Sequence, residues 1–165
     1  EGSPVHPEST PCKFSVRYEF PARGDMPPVE LTWNHGRDNP PAVFTEEKLP
    51  GWAWGVFVGD DGMLLASYPK RMLWPEAKFA DFQPPEPTIP DSIGHHQEWI
   101  RACKTGEPTT CNFDYAGAVT ETLLLGNVAY RAGRKLEWDP VKMKFPNCLE
   151  AEPYLQRDYR KGWTL

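Results

Sequence analysis

From Lys13 to Phe20 the chain alternates without a break: Phe14, Val16, Tyr18 and Phe20 fall on one side, Lys13, Ser15, Arg17 and Glu19 on the other. A two-residue period of this kind fits a β-strand with one face buried and one face wet, the usual state of a strand in an antiparallel sheet. Val29, Leu31 and Trp33 repeat the pattern after Pro21–Pro28, a connection carrying the turn signal Arg23-Gly24-Asp25. The two segments therefore read as a hairpin with a long loop. Trp54–Gly59 and Met63–Tyr68 flank Asp60-Asp61-Gly62 and form a second pair, and Arg71–Trp74 is a short further strand. Residues 34–53 read as a loop. The segment 75–91 has prolines at 75, 84, 85, 87 and 90, and its Pro84-Pro85-Glu86-Pro87 core should be extended.

The period then changes. Ile93, His96, Trp99, Ile100 and Cys103 recur at helical spacing, with Asp91 or Ser92 as caps and Gly106 with Pro108 as the stop. Asp114–Ala132 is the longest expected helix, capped by Asn112 or Asp114 and closed by Gly133, with Arg131 and Arg134 at the negative end of its dipole. Leu123-Leu124-Leu125 and Val128-Ala129 leave it few polar positions, so burial on most sides is expected, with Gly117 and Gly126 thinning its flank for a close neighbour. Lys135–Trp138 reads as a short strand stopped by Asp139-Pro140, and Pro153 as the start of a short helix through Tyr159. Strands first, helices next and a strand at the end give an α+β fold: a mainly antiparallel open sheet with helices packed on one face. Residues 1–165 are expected to form a single domain.

Composition narrows the function. A net charge of −5 argues against nucleic-acid binding, and no apolar run reaches the roughly 20 residues needed to span a membrane. Cys12, Cys103, Cys111 and Cys148 include no C-x-x-C pair. They read as buried free thiols, with a Cys103–Cys111 bridge as the alternative, and leave the compartment open between cytoplasm and periplasm. There is no G-x-G-x-x-G, G-x-S-x-G, H-E-x-x-H or P-loop. His95, His96 and Glu98 form the densest polar cluster, but adjacent helical histidines point about 100° apart and no third ligand is evident, so no metal is expected. His96 reads as a packed core residue and His95 as the one facing a ligand. With 19 prolines and 7 tryptophans the chain should carry fixed loops over a packed sheet or a cleft, and Trp33, His35, Trp52 and Trp54, with His95, are the candidate platform for a sugar or another flat polar ligand.

Several segments have a recognisable look. His95–Pro108 (HHQEWIRACKTGEP), Asn112–Gly117 (NFDYAG), Leu123–Ala129 (LLLGNVA), Gly133–Asp139 (GRKLEWD), Tyr159–Trp163 (YRKGW) and Val16–Gly24 (VRYEFPARG) resemble the C-terminal domain of the Gfo/Idh/MocA oxidoreductases, in the bacterial branch common in planctomycete-like genomes. The resemblance implies a substrate-binding and dimerisation domain of an enzyme that is NAD- or NADP-dependent and acts on a sugar, polyol or related small molecule. It also implies an N-terminal Rossmann domain, absent from this chain, and a homodimer or higher homo-oligomer formed through the open sheet. Glu47-Lys48-Leu49-Pro50 and Asp91-Ser92-Ile93-Gly94-His95 imitate the family's E-K-P and D-x-x-x-H motifs with the wrong spacing or context, so no catalytic or cofactor-binding residue is carried over. By itself the chain should not turn over substrate. The alternative is a stand-alone carbohydrate-binding or assembly module.

Overall fold

The computed structural model describes residues 1–36 and 40–163. Residues 37–39 of the expected 34–53 loop, and the last two residues of the tail, lie outside them. The fold is α+β and all strand pairing is antiparallel, but the strands form two sheets rather than one. The chain likewise divides into two compact units: residues 1–40 with 108–165, and residues 41–107.

The first unit is built on a hairpin of β1 (Phe14–Phe20) and β2 (Val29–His35). Its register sets Phe14 opposite His35, Val16 opposite Trp33, Tyr18 opposite Leu31 and Phe20 opposite Val29. Facing residues of an antiparallel pair share a side, so the apolar sets of the two strands merge into one face. The reverse face is wet: Ser15 Oγ donates to Asn34 Oδ1 at 2.7 Å, and Arg17 lies 2.9 Å from Glu19 and 3.7 Å from Glu30. Lys135 also bonds Glu19 and, with Arg17, holds its carboxyl below the ordinary glutamate value.

A 20-residue helix, Phe113–Ala132, the third in chain order after Ala42–Glu46 (α1) and His95–Thr105 (α2) and so designated α3, lies on the apolar face of β1. Asn112 Oδ1 accepts the Tyr115 N–H at its start, and Gly133, at φ 65°, closes its end. Tyr130 packs 5.3 Å from the Phe14 ring and donates its hydroxyl to the Ser3 carbonyl. Gly126 permits the closest approach, because an added Cβ would meet the Tyr18 hydroxyl at 1.9 Å. The helix is less covered than its composition suggests. Gly126 and Val128 are buried, whereas Phe113, Val119, Leu123 and Leu124 are exposed. Among the described residues, the elements that pack on it are β1 and the 3₁₀ turn over Leu149–Tyr154.

After α3 the chain forms no strand over 135–138. An isolated bridge joins Asp139 to Lys144, and Asp139 Oδ1 accepts the N–H groups of Val141 and Lys142, so the aspartate closes a turn where no partner strand is present. A 3₁₀ turn over Leu149–Tyr154 replaces the expected helix through Tyr159. These segments bring Phe145, Cys148 and Ala151 against Val128, and the Trp138 ring lies tilted against that of Phe145, with centroids 5.0 Å apart.

The second unit holds β3 (Gly55–Val58), β4 (Met63–Ala66) and β5 (Arg71–Trp74) in sequential order. A short α1 (Ala42–Glu46) occupies part of the expected loop, and a 3₁₀ turn spans Glu76–Phe79. Leu65 is fully buried against Leu49 and Ala53, with Val43, Val56, Met63 and Met72 around them. The run 84–87 is free of helix. Helix α2 (His95–Thr105) starts at Gly94, whose N–H donates to Ser92 Oγ, and ends at the left-handed Gly106. Its stripe of Trp99, Ile100 and Cys103 is exposed, and so is His96, which is therefore no core residue. Among the described residues no strand or helix packs on the stripe. All four cysteines are free, and of them only Cys148 is buried, so neither the bridge nor general thiol burial is found.

Candidate functional site

Residues i and i+2 of a strand point to the same side, and this rule brings two of the five candidate residues together. Trp33 and His35 end β2 on its apolar face, where they border a hollow of about 270 Å³. Phe14 and Tyr18 of β1 form its floor, Leu123 and Asn127 of α3 one wall, and Thr10 and Pro11 of the entering loop another. His35 leans on the Phe14 ring, with centroids 5.7 Å apart and planes tilted by 43°. Trp33 keeps 43% of its surface open, so its ring remains available to a guest.

The polar groups around these rings are of a type that orients a small hydroxylated molecule. Thr10 offers a hydroxyl, His35 a ring nitrogen and Asn127 both an amide donor and a carbonyl acceptor. Burial pushes the Tyr18 hydroxyl above the ordinary tyrosine value, opposed by the Gly126 backbone, so Tyr18 holds its proton across the neutral range. Among the described residues no two titratable groups of the hollow bond one another. The arrangement can stack a flat ligand and hydrogen-bond it.

The other three candidates belong to the second unit. Trp52 is half-buried on the Leu49–Ala53–Leu65 cluster, with the Lys70 ammonium 5.6 Å above its ring, so it closes that core. Trp54 is 76% exposed and donates its backbone N–H to the Ala66 carbonyl as an extension of the β3–β4 pairing. His95 is exposed at the start of α2 and packs 4.1 Å from His96. Among the described residues no cluster of three metal-ligating side chains occurs.

Tyr18, Asn127 and Thr10 were not evident as site residues. Tyr18 reads as one more apolar position of its strand. Thr10 lies in a loop without a pattern. Asn127 carried a signal, being a lone carboxamide in the apolar run Leu123–Ala129.

Comparison with known proteins leaves the assignment to the site itself: no family model, no curated protein and no solved structure matches this chain.

Proposed function

We propose that the chain is the substrate-holding and dimerising portion of an NAD(P)-dependent oxidoreductase, with a sugar, polyol or related molecule seated in the Trp33–His35 hollow. The observation that carries the ligand assignment is the hollow itself, where an open indole is placed beside a hydroxyl, an imidazole and a carboxamide. Aromatic faces take the C–H side of a sugar ring, and fixed polar groups select its hydroxyls. The oxidoreductase assignment is supported by the six segments that resemble the Gfo/Idh/MocA domain.

A nicotinamide dinucleotide does not fit the residues described. Among the described residues every paired strand is antiparallel, and no glycine-rich turn leads from a parallel strand into a helix. In this reading the cofactor and the hydride chemistry belong to a separate Rossmann domain, and the present residues supply binding and orientation. The hollow by itself also supports a second reading, a carbohydrate-binding module with no redox partner.

Saturation-transfer NMR against a panel of aldoses and polyols tests the ligand assignment. At least one sugar or polyol should bind, Trp33→Ala should weaken it about tenfold, the scale of one lost aromatic contact, and Trp54→Ala should leave it unchanged. No binding across the panel, or binding indifferent to Trp33, would overturn it. Tight NADH binding by these residues alone would overturn the division of labour. Turnover on adding a nicotinamide-binding domain separates the first reading from the second.

Dimerisation is assigned to the far end of the same sheet face, where Phe20, Val29 and Leu31 are exposed side by side. An uncovered apolar sheet face is a site of association. Light scattering should give about twice the 18.8 kDa chain mass, and Leu31→Glu should return a monomer. A monomeric parent protein would refute the assignment.

A further inference from the structure

The opposite flank of α3 carries a larger hollow, of about 840 Å³, closed on its far side by the chain that follows the helix. The size lies within the range of small-molecule sites, roughly 300–1,000 Å³. Leu124, Met143 and Tyr154, all partly exposed, contribute to its apolar walls.

Two features point to an occupant. Gly117 lies on the wall, inside the helix one turn from its start, and an added Cβ there would meet nothing within 4 Å. A mid-helix glycine costs about 1 kcal/mol relative to alanine, and at Gly126 the cost is explained by Tyr18. At Gly117 no neighbour among the described residues explains it, whereas a guest lying against the helix backbone does. The second feature is charge. Glu121 lies on the same wall and already accepts the Trp138 indole N–H at 2.7 Å. Arg131, ten residues further on and about 15 Å along the axis at 1.5 Å per residue, also borders the hollow and makes no ion pair among the described residues. Glu121 is thus engaged by the indole, whereas the Arg131 guanidinium at the other end is the group left to meet a charged guest.

We propose that this hollow binds an elongated, mainly apolar molecule that ends in a carboxylate or similar anion, with the chain lying over Gly117 and Leu124 and the head group on Arg131. A planar guanidinium suits a carboxylate by paired hydrogen bonds. The site is separate from the Trp33–His35 hollow, and the proposal stands without the oxidoreductase reading.

Calorimetric titration of the full chain with decanoate, decanol and decyltrimethylammonium, each below its micelle-forming concentration, tests it. Decanoate should bind saturably and about tenfold more tightly than decanol, the scale of one charge-assisted contact. The ammonium should bind more weakly still. Arg131→Gln should abolish the preference for decanoate over decanol. Gly117→Leu, which fills the hollow while favouring the helix, should remove binding of both with helical circular dichroism retained. Should Gly117→Leu fail to fold, Arg131→Gln decides alone. Absence of saturable decanoate binding, equal binding of the three probes, or a preference unchanged in Arg131→Gln would overturn the proposal. So would a Gly117→Leu chain that goes from dimer to monomer in light scattering, since the occupant would then be a second copy.

Discussion

Phe145→Ala should destabilise the first unit by about 3–5 kcal/mol, the usual cost of removing a fully buried aromatic ring. Phe145 is 1% exposed. Its ring tilts against Trp138 with centroids 5.0 Å apart, and it shares a cluster with Val128, Cys148 and Ala151. These residues come from the helix and from the irregular segments after it, so little regular hydrogen bonding compensates once the ring is gone. Urea denaturation followed by circular dichroism at the α3 signal measures the effect. Phe57→Ala is the comparison, because Phe57 is 65% exposed and its loss should cost well under about 1 kcal/mol, in the range of surface substitutions. Equal effects from the two substitutions would show that Phe145 is not the centre of this core.

Gly126→Ala should also destabilise, although helix propensity alone argues for a gain of about 1 kcal/mol. The new methyl would lie 1.9 Å from the Tyr18 hydroxyl oxygen and 2.9 Å from the ring carbon that bears it. The ring is rigid and belongs to a strand under the helix, so relief requires moving the whole side chain or lifting α3. Overpacking of this kind costs about 1–3 kcal/mol. Gly117→Ala in the same helix should carry the opposite sign, gaining up to about 1 kcal/mol, since open space receives the methyl. Thermal melts of the two variants should therefore straddle the parent. In a Tyr18→Val background, Gly126→Ala should lose its penalty, which locates the conflict at the ring.

The hairpin and the long helix were legible because each is specified locally. Alternation set the faces of β1 and β2, and Asn112 and Gly133 marked the ends of α3 to within a residue. What failed depended on partners that a periodic pattern does not name. Lys135–Trp138 has strand-like residues but no strand beside it, so its backbone groups go elsewhere: the Glu137 N–H donates to Asn147 Oδ1, and the Lys135 carbonyl accepts from Asn147 Nδ2. Helix α2 has an amphipathic stripe, yet its apolar residues lie open. The division of the strands into two sheets was invisible for the same reason: both pairs alternate or run apolar, and nothing local says whether they join. In the site, Trp33 and His35 were readable as a pair two positions apart on one strand. Asn127 and Thr10 join them only because α3 and the entering loop are laid over that strand, and this is decided by packing.

Asn127 borders both hollows of the first unit. It acts as a party wall, since one carboxamide with a single orientation at a time serves two rooms. Changing it to study either room alters the other, so a lesion at 127 reports on neither alone. Clean dissection has to begin from the far ends, at Trp33 for one room and Arg131 for the other.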